Sequence, residues 1–293
     1  MTDEPSFRRG PEAPPSGAAD LRRGLFLAPF DELSDPLVLV DLALAAEARG
    51  WDGVFLWDHM IRQPGEPQVI ADPWILLAAM AASTTRIRLG TMITPLARRR
   101  PQKVARETVT LDHLSRGRLI LGVGLGVNSG GELERFGECI DEPRRAAMLD
   151  EALDLLVALW SGEEVHHRGM FFTADGVTFL PTPVQQPHIP MWGAAVGRRK
   201  RAAPLRRAAR LDGLFPVDAT IGQFGEIVEE VRALRSSLDG YEIAAEVAAD
   251  ADESIFGDFE QAGATWIMHS FRVHTTADEV GNAAERGPRG HTS

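Results

Sequence analysis

The apolar positions of this chain fall in short unbroken runs separated by longer segments of helical period. The runs at 24–28, 53–57, 87–93, 119–123, 190–194, 213–216, 241–248 and 265–268 carry little polar alternation. A strand without alternation has no wet face, so these read as eight strands covered on both sides. Helix signals lie between them. Asp35-Pro36 and Asp72-Pro73 each place a capping acid before a proline at the first helical position. Pro101 and Pro143 open two further helices, expected to run to about Leu114 and Trp160. Helices are also expected over 73–83, 200–210, 222–238 and 253–262. The one after Pro36 is expected to turn Leu37, Val40, Leu44 and Ala48 to the core and to stop at Gly50.

One segment breaks the alternation of strand and helix. Residues 165–180 read as a β-hairpin with Asp175-Gly176 at its turn, and a proline-rich run over 181–190 leads back to the frame. Eight strands alternating with helices predict an α/β protein, a (β/α)8 TIM barrel with an inserted β-hairpin segment. Residues 1–22 are rich in Pro, Gly, Ala and charge and show no period, so they are expected to be disordered or loosely attached. The barrel domain is expected over 23–275. Residues 276–293 are expected to form a C-terminal tail with room for one short helix.

Composition narrows the function. The formal net charge of −11 argues against a general nucleic-acid or membrane-surface binder. The single cysteine, Cys139, excludes an intramolecular disulfide and a cysteine metal cage. No apolar run approaches the ~18–20 residues of a membrane span. Met1-Thr2-Asp3-Glu4-Pro5 lacks the basic start and apolar core of a signal peptide, so a cytoplasmic protein is expected.

In a barrel the chemistry collects at the C-terminal ends of the strands. The second strand ends in Asp58-His59, and the third in Met92, Ile93 and Thr94. The fourth ends in Gly124, Leu125, Gly126 and Val127, and the fifth in Gly193, Ala194, Ala195, Val196 and Gly197. His269 ends the eighth. No paired carboxylates, no Gly-x-Ser-x-Gly elbow and no metal-spaced cluster appear. Small, apolar, glycine-rich rims describe a slot for a flat organic cofactor that brings its own reactivity. Gly122-Val123-Gly124-Leu125-Gly126 does not meet the dinucleotide spacing, because Ser129 stands where the third glycine belongs. Two basic clusters, Arg98-Arg99-Arg100 and Arg198-Arg199-Lys200-Arg201, are either solvated helix starts or local anion sites. Gly193 to Gly197, running towards a helix N-terminus, suits a phosphate.

These stretches, taken in order, resemble a known family. Asp58-His59, Gly90-Thr91-Met92-Ile93-Thr94-Pro95 with Arg99-Arg100-Pro101, and Leu121-Gly122-Val123-Gly124-Leu125-Gly126 are similar to bacterial luciferase-like flavin-dependent oxidoreductases. So are Leu159-Trp160-Ser161-Gly162, Phe179-Leu180-Pro181-Thr182-Pro183-Val184-Gln185 and Pro190-Met191-Trp192-Gly193. The resemblance covers roughly residues 24–270 and implies a TIM barrel with FMN or the deazaflavin F420 at the strand ends. It implies that Asp58 contacts the cofactor and that His59 donates a proton or organises the hydride site. It also implies a non-proline cis peptide at Met92-Ile93, and it suggests a homodimer. The chain departs from the sugar-phosphate dehydrogenases of that family. Val127 stands where they carry an acid, and the lysines expected for a sugar phosphate are not apparent.

The preferred expectation is therefore an oxidoreductase passing hydride between F420 (slightly favoured) or FMN and a small organic substrate, with monooxygenase chemistry if FMN binds. The alternative is a non-catalytic flavin-binding protein. A cofactor-free lyase or isomerase would need a second acid or a lysine at the rim.

Overall fold

A computed structural model describes residues 21–62, 68–197 and 202–288. In chain order the elements are β1 (Arg22–Leu27), α1 (Pro36–Ala48), β2 (Gly53–Leu56), α2 (Pro73–Ser83), β3 (Arg88–Pro95), α3 (Pro101–Ser115) and β4 (Leu119–Gly124). Then come α4 (Glu142–Trp160), the hairpin β5 (Glu164–Arg168) and β6 (Thr173–Thr178), and β7 (Met191–Val196). The chain continues with α5 (Ala202–Ala208), β8 (Gly213–Val217), α6 (Ile221–Leu234), β9 (Glu242–Ala248), α7 (Glu253–Gln261), β10 (Trp266–Ser270) and α8 (Ala277–Arg286). Among the described residues, eight parallel strands close a barrel in the order β1-β10-β9-β8-β7-β4-β3-β2, with helices between them. This is the expected TIM barrel, and β5-β6 is the expected inserted hairpin.

The strands lack a wet face because side chains are buried on both sides. Phe26, Phe55, Met92, Ile120, Trp192, Phe215, Trp266 and Met268 fill the barrel interior. Phe55 stacks on Trp192 at 5.9 Å and meets Trp266 edge-on at 5.6 Å. The glycines at the β3–β4 seam are there because the strands leave no room. A Cβ on Gly90 would lie 2.0 Å from the Ile120 carbonyl oxygen, and one on Gly122 2.2 Å from that of Thr91.

Two expectations are corrected. The α1 face is the opposite one. Leu39, Leu42, Ala43 and Ala46 are buried, while Leu37 is 73% exposed and Leu44 is exposed as well. The helix is apolar on both sides, so periodicity does not choose the face. The hairpin does not turn at Asp175-Gly176. Gly176, at φ +64°, sits inside β6 where the pairing shifts between Val165 and His166, so it forms a bulge. The chain reverses at 169–172, where the Glu151 carboxylate of α4 accepts the N–H groups of Met170, Phe171 and Phe172.

Two further observations concern the domain ends. β1 already includes Arg22, which donates to Glu242, so the strand begins inside the expected loose segment. Residues 1–20 lie outside the described residues. At the other end, the expected tail holds α8, opened by a reciprocal Thr276–Glu279 capping box. Val280 and Ala284 of α8 are fully buried, and the Trp51 indole donates to the Ala284 carbonyl at 3.1 Å. The segment thus belongs to the packed helix layer. Among the described residues no helix is long and apolar enough to cross a membrane.

Candidate active site

The C-terminal mouth of the barrel opens into a cavity of about 460 Å³. Its walls include Phe26 and Trp57, the β3 residues Met92 and Ile93, the β4 loop residues Leu125, Gly126 and Val127, and Ala194, Ala195 and Val196 of β7. The Met92–Ile93 peptide is cis, and both side chains line the cavity.

The polar wall is a linked set of charges. Asp58 is 5% exposed at the end of β2. Its carboxylate takes Arg99 Nη2 at 2.9 and 2.7 Å and Arg98 Nη2 at 3.1 Å. Next to it, His59 Nδ1 lies 3.1 Å from Glu132 Oε1. Glu132 is 1% exposed. It also pairs with Arg98 Nη1 at 3.0 Å and accepts the Met60 and Ile61 N–H groups on Oε2. Burial alone would raise the Glu132 carboxyl. The hydrogen bond and charge of His59, together with Arg98 and the Met60 N–H, outweigh it and hold the group below the ordinary carboxylate range. An ionised Glu132 accepts the Nδ1 proton of His59 and so leaves Nε2 as the exchangeable atom.

At the opposite side lie Asp218, at φ +51° just beyond β8, and Glu246 of β9. Ser270 donates to Glu246 Oε1 at 2.9 Å, and Oε2 is shielded without a hydrogen-bond partner among the described residues. Burial first, and after it the Asp218 charge, push the Glu246 carboxyl above its ordinary range, against the Ser270 hydroxyl and the Asp218 backbone N–H, which favour the ionised form. Arg62 reaches Ser129 at 2.8 Å and lies over the Trp57 ring.

The structure brings together His59, Asp58, Met92, Ile93, Leu125, Gly126, Val127, Ala194, Ala195 and Val196 as lining residues. It takes four others away from the cavity. Thr94 is fully buried and hydrogen-bonded to Thr91. Gly124 packs beneath Ile93, whose Cδ1 would lie 2.9 Å from a Cβ there. Gly193 packs on Ala208 of α5, and Gly197 packs on Ala219 while donating to the Val217 carbonyl. In each case the pleat or the turn points the residue at a neighbouring element.

The basic cluster at Arg98-Arg99 is not an open anion site. Arg98 is spent on Asp58 and Glu132, and Arg99 on Asp58 and the face of Trp74. The second cluster, 198–201, lies outside the described residues. His269 does not line the cavity. It points outward between Trp51 and Phe256, each 4.8 Å away.

Sequence reasoning missed Glu132 and Glu246. Glu132 follows Gly130-Gly131 in the loop after β4, five residues beyond Val127 and past the glycine run. Glu246 lies within an apolar strand pattern, where an acid in Ala244-Ala245-Glu246-Val247 is itself the visible anomaly. Among the described residues no cluster of His, Cys, Asp or Glu could hold a metal ion.

The cavity fits a flat ring system. Met92, Ile93 and Ala194 to Val196 give low apolar walls, and the volume falls in the range of small-molecule sites. The shielded Trp57 indole N–H and Glu246 Oε2, both without a hydrogen-bond partner among the described residues, leave polar atoms for a ligand to satisfy.

A family model described as luciferase-like monooxygenase matches residues 28–280. An uncharacterised protein of Mycobacterium tuberculosis is 38% identical over 164 residues, 55% of this chain and 56% of that protein. An F420-dependent glucose-6-phosphate dehydrogenase of Microbacterium testaceum is 33% identical over 223 residues, 74% of this chain and 62% of that enzyme. The chain spans about half to three fifths of the length of the curated relatives it matches. Among solved structures, an F420-dependent secondary alcohol dehydrogenase superposes with a TM-score of 0.73 at 20% identity, covering 91% of this chain and 99% of that one. The oxygenating constituent of 3,6-diketocamphane monooxygenase from Pseudomonas putida, in complex with FMN, superposes at 0.72 and 14% identity, covering 92% and 97%. At these identities the superpositions show the fold alone.

Proposed function

We propose, from the premise that this chain belongs to the luciferase-like monooxygenase family, that it is an F420- or FMN-dependent oxidoreductase acting on a small organic substrate. The observation that carries this reading is the His59–Glu132 pair set in the wall of a ring-sized cavity at the barrel mouth. F420 is preferred, because several curated relatives bear F420-dependent names. Arg98 and Arg99 give that preference no support, since both are paired internally.

Met92, Ile93, Leu125, Gly126 and Ala194 to Val196 would hold the ring, and Trp57 would offer its indole N–H. Bound there, the ring supplies hydride transfer. His59 would exchange a proton with the substrate through Nε2, the atom left over once Glu132 engages Nδ1. Glu132 positions His59, and Arg98 and Asp58 hold Glu132 and the β2 end in register. The apolar walls exclude water from the face the ring would present.

His59→Ala is expected to leave cofactor affinity within a few-fold and to slow turnover by about 10²-fold, the usual worth of a positioned acid–base group. Stopped-flow absorbance of the cofactor with a panel of alcohols and ketones measures both. Unchanged turnover in the variant would remove the role of His59. Tight cofactor binding without turnover of any substrate would favour a carrier over an enzyme.

A further inference from the structure

Glu246 is a carboxyl group that the hydride reading leaves unused. It sits at the cavity end away from His59, on β9, between Asp218 beyond β8 and Ser270 of β10. Ser270 donates to Oε1 and so engages one carboxyl oxygen. Oε2 has no partner among the described residues and is shielded from solvent, although the residue lines the cavity. A shielded carboxylate oxygen facing an acid is costly, whereas a hydroxyl there needs only an acceptor. Phe215, Val217 and Ala195 in the same wall carry no side-chain acceptor, and the nearby Asp218 carboxylate makes no hydrogen bond to Oε2. The acceptor must then come with the ligand.

We propose that Glu246 is a specificity-determining residue whose Oε2, kept as a hydroxyl, donates a hydrogen bond to an uncharged oxygen of the substrate. The site then takes neutral carbonyl and hydroxyl compounds and rejects carboxylates and phosphates at this end, where Asp218 adds a like charge. This rests on the oxidoreductase reading and names its substrate class. The direction of the Glu246 shift, set first by burial, agrees with a carboxyl that stays protonated. The other ionisable groups lining the cavity are Asp58, His59, Arg62, Glu132, Glu142 and Asp218. All of them persist in a Glu246→Gln variant, so that variant isolates the titration of Glu246.

Two measurements test the proposal. Infrared difference spectra of cofactor-free wild type against Glu246→Gln at neutral pH should show a protonated-carboxyl C=O band that the variant lacks. No such band in the wild type overturns the proposal, whether or not a cofactor binds. Calorimetry on the F420- or FMN-loaded protein should show cyclohexanone binding in preference to cyclohexanecarboxylate. Glu246→Ala should weaken cyclohexanone about tenfold, the worth of one buried hydrogen bond. Glu246→Gln, whose amide still donates, should restore it. Raising the pH should weaken cyclohexanone in the wild type and leave it unchanged in Glu246→Gln. Equal binding of the two ligands, no binding of cyclohexanone, or equal losses in the Ala and Gln variants overturns it. Failure of both cofactors to load would instead remove the oxidoreductase reading, with the infrared result still deciding the state of Glu246.

Discussion

Removing one member of a buried ion network leaves its partners charged and unpaired. Glu132 satisfies His59, Arg98 and two backbone N–H groups from a position 1% exposed, and the Arg98 side chain is itself 4% exposed. Glu132→Ala is therefore expected to cost about 3–5 kcal/mol in urea unfolding, because Arg98 would keep only Asp58. His269 makes the opposite case, a buried base held neutral. Burial, and then the charge of Arg23, push it down to about 3 from the ordinary 6.5. Between those values the unfolded chain binds a proton that the folded chain refuses. Its contribution is intact above pH ~6.5 and is lost progressively as pH falls towards 3. Chemical denaturation at pH 7 and pH 5 should show a loss in the wild type of roughly 2 kcal/mol from this group. The loss should shrink in His269→Leu. An equal loss in that variant would show that His269 does not carry it.

The elements show what local pattern can and cannot decide. Asp35, Asp72 and the prolines after them were legible as helix starts because capping is a contact within three residues. The α1 face was not, since the choice between Leu37 and Leu39 is made by α2 and α8, far along the chain. Asp175-Gly176 carried a true signal for positive φ, which the chain spends on a bulge. The real reversal depends on Glu151, a residue of α4 that no hairpin rule consults. Glu151→Ala should therefore speed hydrogen exchange of the Met170, Phe171 and Phe172 amides by at least about tenfold, with the barrel strands unaffected. Exchange that spread to β4 or β7 would mean the hairpin and the barrel open together.

Across the whole molecule, the strand ends were legible and their directions were not. Eight apolar runs implied the mouth, and the mouth gathered His59, Ile93, Leu125 and Ala194. Thr94, Gly124, Gly193 and Gly197 sit at the same strand ends but face neighbouring elements, which only the closed pleat determines. Glu132 and Glu246 enter from a loop and from mid-strand, so their role depends on tertiary geometry. The central claim is that this mouth holds a flavin or deazaflavin ring. Its most direct measurement is a fluorescence titration of the purified protein with oxidised F420 and, separately, with FMN. The account predicts saturable binding of at least one, F420 more tightly, and weaker binding in Ala194→Trp, which would fill the slot. Saturation by neither, or affinity indifferent to Ala194→Trp, would contradict it.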